Sequence, residues 1–233
     1  MAAMAIILNL ETATTNCSVS ISKGDETISL KENNAADYSH SEQLHVFIKE
    51  ALKEASLSFS DLDAVAISKG PGSYTGLRIG VSSAKGLCFS LDIPLISVPT
   101  LQGMAHQVKL EKGELAISVL DARRMEVYSC VYDGNYEEIR ETRAEIITES
   151  SFADFVSDRK VFVIGSGAHK CKDVLEHPNF HFDGEIVPSA AQMGPIAYQK
   201  YQAKQFEDVA YFEPYYLKDF VLQSKKKTNP PCA

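Results

Sequence analysis

The stretch over residues 68–91, SKGPGSYTGLRIGVSSAKGLCFSL, constrains the fold of this chain more than any other. An apolar, β-branched run, Ala64-Val65-Ala66-Ile67, leads into it as a buried strand. Gly70-Pro71-Gly72 then turns the backbone through conformations that most residues resist. From Thr75 onward, Leu77, Val81, Ala84, Cys88 and Leu91 recur at steps of four and three, the spacing of one helical face that requires burial. A second stripe carries Gly76, Gly80 and Ser83. A glycine inside a helix costs about 1 kcal/mol relative to alanine, so two on one face imply close approach by another backbone, within the fold or across an interface. Set beside a helix over residues 41–55, this helix is expected to offer a docking surface. It comprises Leu44, Phe47, Gly76, Leu77, Gly80, Val81 and Ser83, forming two ridges with a shallow groove. Such a surface is self-complementary, so a twofold homodimer is expected when no other partner is present.

The pattern around that stretch is repetitive. Residues 5–10 read as a strand, a polar turn follows, and the alternation over 17–21 and 27–30 completes a three-stranded antiparallel meander. Ser39-His40-Ser41-Glu42 fits a capping box ahead of the helix over 41–55. Pro94 and Pro99 bracket a short strand, and 100–108 reads as a helix. Beyond Gly113 the pattern restarts with strands over 115–120, 126–132 and 136–143, a short helix over 151–157 and a strand over 161–164. A last helix over 190–206 precedes an extended aromatic segment, Pro214-Tyr215-Tyr216-Leu217-Lys218. The expectation is an α/β chain of two similar lobes, 1–99 and 100–189, with the last helix returning to the first lobe and 207–233 as closing segment and tail.

Composition narrows the function classes. A net charge of -8 and a pI near 5.3 oppose a broad phosphate-binding surface. The one dense basic run, Lys225-Lys226-Lys227, reads as a solvated, mobile tail, with a tRNA contact as the other reading. Five dispersed cysteines without a CxxC pair point to a reducing compartment. The apolar stretch ending at Leu10 is seven residues long with no positive charge before it, which suits a first strand and not a signal peptide. No later run approaches the roughly 20 residues of a membrane helix, so a soluble cytoplasmic protein is expected.

Gly70-Pro-Gly-Ser-Tyr-Thr-Gly76 lacks the Gly-Lys-Ser/Thr end of a P-loop and the spacing of a dinucleotide fingerprint, and it serves equally as a turn that sets up a helix. Gly165-Ser166-Gly167-Ala168 is open to the same two readings. His177 and His181 are four apart, but Pro178 opposes a helix there; His40 and His45 diverge around a helix, with capping expected of the first and surface exposure of the second. No metal site and no catalytic residue are therefore expected. The suggestive carboxylates are Glu11 and Asp121, each at the end of its lobe's first strand, where a cleft commonly lies, although the plainer expectation for both is a solvated turn carboxylate.

Taken together, LNLETATTNCSVSI, HSEQL at 40–44, KGPGSYTGLRIGVSSAKGL, Asp121-Ala122-Arg123 followed by Glu126-Val127-Tyr128, and PYYLKD resemble the TsaB (YeaZ) family of bacterial tRNA threonylcarbamoyladenosine biosynthesis proteins, in order over nearly the whole chain. The resemblance implies a two-lobed fold of the actin, Hsp70 and sugar-kinase class. It also implies a non-catalytic partner of a related subunit, TsaD, which with the ATPase TsaE transfers threonylcarbamoyl from its adenylate to adenosine 37 of tRNA. A TsaD heterodimer, indirect contact with tRNA and no cofactor of its own follow from it. The HxxxH metal ligands of TsaD have no counterpart here. Glu11 stands where nucleotide-binding relatives carry Asp, which leaves residual ATP or ADP contact open through Glu11, Asp121, Gly165 and Gly167 or at the partner interface. The competing expectation is a stand-alone nucleotide-using enzyme of that fold or a glycoprotease-like hydrolase, for which no nucleophile and base pair is readable.

Overall fold

The structure, a computed structural model, describes residues 4–34 and 40–218. β1 (Ile6–Glu11), β2 (Asn16–Lys23) and β3 (Glu26–Asn34) form an antiparallel meander. α1 (His40–Glu54) then crosses to β4 (Ala64–Ser68), and α2 (Tyr74–Leu91) crosses to β5 (Leu95–Val98), each new strand parallel to the one before it in space. The resulting sheet has the order β3-β2-β1-β4-β5. β4 and β5 are buried throughout because both faces are covered, which is why they read as continuous apolar runs. Leu8, Leu10, Val65 and Ile67 face α1 and α2; Ile7, Ala64, Ala66, Ile96 and Val98 face the other way.

The second half repeats the plan. α3 (Thr100–Ala105) leads to β6 (Leu115–Asp121), β7 (Glu126–Tyr132) and β8 (Glu138–Ile146). α4 (Ala153–Val156), β9 (Val161–Ile164), α5 (Ala168–Lys172) and β10 (Phe180–Asp183) follow. The order β10-β9-β6-β7-β8 matches the first sheet strand for strand, including which pairs are parallel. A 3-10 turn at Ala190–Gln192 introduces α6 (Met193–Gln202). α6 does not cover the sheet it follows. Met193, Ile196 and Ala197 pack on Ile7, Ala66, Ile96 and Val98 of the first sheet, and Ser18 and Ser20 of β2 bond the backbone of Ala190 at 3.0 and 2.8 Å.

Some boundaries differ from the sequence reading for physical reasons. β8 starts at Glu138 because Tyr136 has φ 61 and the Asp133 carboxylate accepts from the amides of Asn135 and Glu137, both at 2.9 Å, so the turn extends further. The helix expected over 190–206 is broken by the 3-10 turn and stops before Lys204, whose φ is 53. β10, four residues long, is a further strand that the sequence pattern does not mark. The capping residue Ser39, Cys232 and the Lys225-Lys226-Lys227 run lie outside the described residues. Among the described residues no helix is long and apolar enough to cross a membrane.

Candidate functional site

The end of β1 and the glycine loop that feeds α2 meet between the two lobes. Thr12 to Thr15 run directly beneath that loop. The Ser73 amide donates to the Ala13 carbonyl at 2.6 Å, and a Cβ on Gly72 would overlap that same carbonyl. Thr12 Oγ1 donates to the Gly76 carbonyl at 2.9 Å. A Cβ on Gly76 would collide with the Thr12 backbone oxygen; on Gly80 it would collide with Thr12 Oγ1 and lie 2.9 Å from Ile67 Cδ1. The close approach demanded by the small stripe is therefore made inside the fold, by the segment leaving β1.

This corrects the expected docking surface. Leu44, Gly76, Leu77, Gly80 and Val81 are buried against their own sheet and its exit loop, and so are not surface for a partner. Phe47 and Ser83 are half-buried at the border between α1 and α2, where Ser83 Oγ lies 3.4 Å from Nε2 of exposed His45. Outward of them stand Val46, Ser82, Gly86 and Phe89, the last 84% exposed. A Cβ on Gly86 would meet no heavy atom within 4 Å. The His40 ring is buried, with Nε2 2.7 Å from the Thr14 carbonyl, and burial holds it below the usual histidine range.

Glu11 and Asp121 occupy matching strand ends but different environments. Glu11 is 2% exposed, and its carboxyl accepts from the Ala13 amide at 2.6 Å and from Ser68. Burial pushes it up to about 7, against the opposing effect of those hydrogen bonds. Behind it, Thr100 Oγ1 is 2.6 Å from Ser68 Oγ and accepts from the Gly70 amide at 3.1 Å. Asp121 is exposed and tied to Lys170 Nζ of α5 at 2.9 Å and to the Arg123 amide of its own hairpin at 2.6 Å. Gly165 has φ 106, and a Cβ there would overlap Met104 Cε and the Val119 carbonyl; one on Gly167 would lie 3.0 Å from Val127 Cγ1. These two glycines admit close packing of α3 and β6 around their turn.

The sequence reading missed the route of the closing segment. Glu207 pairs with β5 through its amide to the Leu95 carbonyl at 2.8 Å and its carboxylate to Ser97 Oγ at 2.5 Å. Lys85 of α2 then holds the carbonyls of Ala210 and Phe212 at 3.0 and 3.1 Å. The Tyr215 amide donates to the Lys69 carbonyl at 2.7 Å, Tyr216 packs on Tyr74 with ring centroids 4.9 Å apart, and Lys218 bonds Glu126 in the second lobe. The segment thus straps the glycine loop to both lobes. A run of tyrosines after a proline was the available signal, but nothing local names a target about 145 residues earlier.

Burial pushes the thiols of Cys17, Cys88 and Cys130 up to about 11 and that of Cys171 up to about 12, far from the reactive thiolate range. Among the described residues no three His, Cys, Asp or Glu side chains converge as metal ligands do.

Comparison with known proteins gives a consistent set of relatives. The family profile described as TsaD, tRNA N6-adenosine threonylcarbamoyltransferase, matches residues 33–226. A Haemophilus influenzae protein named tRNA threonylcarbamoyladenosine biosynthesis protein TsaB is 30% identical over 94% of this chain and 96% of its own length. An Escherichia coli protein of the same name is 30% identical over 94% and 97%. The solved structure of YeaZ from Pseudomonas aeruginosa superposes with a TM-score of 0.80 at 25% identity, covering 92% of this chain and all of that one.

Proposed function

The chain belongs to the TsaB (YeaZ) family of tRNA threonylcarbamoyladenosine biosynthesis proteins, and from that premise we propose that it serves as a non-catalytic docking subunit for a TsaD-type transferase. Its two mixed five-stranded sheets with flanking helices are the fold of the actin and sugar-kinase class. The observation that carries the non-catalytic reading is the fate of Glu11. A first-strand acid that acts on a ligand has to reach it, and here the carboxyl is 2% exposed and bonded to Ala13 and Ser68. Its chemistry is spent within the fold, where it fixes the β1 exit that receives α2.

The docking face in this proposal is the outer side of α1 and α2, centred on Val46, Phe47, Ser82, Gly86 and Phe89. An 84% exposed phenylalanine beside a bare glycine offers a partner an anchor and a notch. The same face serves a homodimer when the chain is alone, so the two assemblies compete. A TsaE-type ATPase joins through the transferase, the chain has no cofactor of its own beyond weak or interface-bound ATP or ADP, and the setting is the cytoplasm.

The test combines the purified chain with its TsaD-type and TsaE-type subunits, tRNA and threonylcarbamoyl-adenylate, reading complex mass by light scattering and modified nucleoside by mass spectrometry. Transfer is expected only when the transferase is present, with this chain needed for the full rate. Transfer by this chain alone, surviving repurification and lost in Glu11→Gln or Asp121→Asn, would establish the enzyme reading instead.

A further inference from the structure

The hairpin turn between β6 and β7 presents Arg123 and Arg124 with φ 71 and 53, two consecutive left-handed positions held by residues other than glycine or asparagine. Both side chains are exposed, and neither guanidinium is in an ion pair among the described residues. The turn that carries them is fixed from beneath. Lys170 Nζ bonds the carbonyls of Arg124 and Glu126 at 2.6 and 3.1 Å together with the Asp121 carboxylate, and Lys218 bonds Glu126 from the closing segment. With Asp121 and Glu126 answered by those two lysines, the charge of both arginines is left over, on a chain whose net charge is -8.

Next to this turn, along the same closing segment, lies an aromatic platform. Tyr216, 38% exposed, packs on Tyr74, and the Arg78 guanidinium sits 5.4 Å from the Tyr74 ring centroid with Nη1 3.1 Å from its hydroxyl. Lys218 passes 5.6 Å from the Tyr128 ring on its way to Glu126. Guanidinium forks carried on a fixed backbone turn suit phosphate oxygens, and tyrosine faces stacked with arginine suit an unpaired base. An acidic protein would use the cations but leave the stacked rings without a role.

We infer that the β6–β7 turn and the closing segment form an RNA-docking face, in which Arg123 and Arg124 contact the phosphate backbone of the tRNA substrate and the Tyr74–Tyr216 platform stacks one unpaired base. The inference rests on the reading above that tRNA is the substrate of the complex.

The experiment measures binding of an in vitro transcribed tRNA by fluorescence anisotropy across a salt series, on the free chain and on its complex with the TsaD-type subunit. Arg123→Gln/Arg124→Gln is compared with Arg143→Gln/Arg159→Gln, which removes the same charge from exposed positions elsewhere on the second lobe. The turn variant should bind about tenfold more weakly, with the log–log salt slope smaller by about one to two. Tyr216→Ala should bind about fivefold or more weakly with the slope unchanged, because stacking releases no counterions. Arg124→Gly should weaken binding while raising the melting temperature, which separates lost contact from lost fold. Affinity and slope matching the control pair would overturn the inference, as would loss of TsaD-type binding in place of RNA binding. Assembly without RNA is scored separately, so a chain that binds tRNA through these residues but never binds the transferase refutes the proposed function and leaves the face standing.

Discussion

Gly80 and Gly86 lie six residues apart on one helix, and alanine should act on them with opposite sign. At either position alanine gains about 1 kcal/mol of helix propensity over glycine. At Gly86 the new methyl meets no heavy atom within 4 Å, so the gain is kept. At Gly80 it overlaps Thr12 Oγ1 and sits 2.9 Å from Ile67 Cδ1, an overpacking that costs about 1–3 kcal/mol. Turning Thr12 aside also gives up its 2.9 Å bond to the Gly76 carbonyl, worth about 1 kcal/mol. Gly80→Ala should then be about 1–3 kcal/mol less stable than the parent, and Gly86→Ala about 1 kcal/mol more stable. At about 2–4 °C per kcal/mol for a chain of this size, the two variants should melt roughly 4–16 °C apart. Calorimetric scans in one buffer measure the gap. Adding Thr12→Ala to Gly80→Ala removes the atom that collides and should recover about 1 kcal/mol beyond additivity. A Gly80→Ala variant as stable as Gly86→Ala would refute the claim that the helix glycines exist to admit the β1 exit.

Gly86→Arg should leave the fold intact and weaken homodimer and TsaD-type association at least about tenfold, or about 1.4 kcal/mol, by titration calorimetry; unchanged affinity would move the docking face elsewhere. Glu11, raised from 4.5 to about 7 by burial, binds its proton more tightly folded than unfolded, so its contribution to stability is complete below about pH 4.5 and is lost as pH rises through about 7. Glu11→Gln should flatten that part of the stability profile by up to about 3 kcal/mol, and a wild-type-minus-variant difference independent of pH between 4 and 8 would place the carboxyl in water. His40, held low by burial, acts in the opposite sense, and the difference cancels it. Thr100→Val leaves the buried Gly70 amide without its acceptor and should lower stability by about 1–3 kcal/mol in urea titrations; a neutral effect would mean the bond to Thr100 is not holding the loop.

Much of this architecture is legible because its strands fall into two chemical types. β4 and β9 are continuous apolar runs between turns, the mark of a strand covered on both faces, while β3 alternates toward a wetter side; β2 alternates in sequence, but its serines at 18, 20 and 22 are buried as well. The same two patterns recur after residue 113, and that recurrence makes a two-lobed reading available from the residues alone. The docking site is a different matter. Periodicity fixes which residues share a helix face, and Gly76, Gly80 and Leu77 do, but it does not say what fills the space opposite. The occupant is Thr12, a polar residue in a turn 64 positions before Gly76, with no local pattern to mark it. Phe89 runs against the usual inference in the other direction, since an aromatic in an amphipathic helix reads as core and here faces water. The Arg123-Arg124 turn lacks the glycine or asparagine that would announce its backbone, so its geometry becomes visible only in three dimensions.

The position of α6 has a consequence for how this chain comes off the ribosome. One wall of the first sheet is supplied by Met193, Ile196 and Ala197, so Ile7, Ala64, Ala66, Ile96 and Val98 are synthesised long before the helix that covers them. At about 5–20 residues per second, the 95 positions from Val98 to Met193 take roughly 5–20 s to emerge. Through that interval the first lobe carries an open apolar face, while the second lobe, contiguous in sequence, receives its last strand at Asp183, ahead of Met193. The lobe translated first is thus the last to be sealed, and a chain interrupted anywhere before residue 190 presents a sticky sheet that the cell's chaperones and proteases will find.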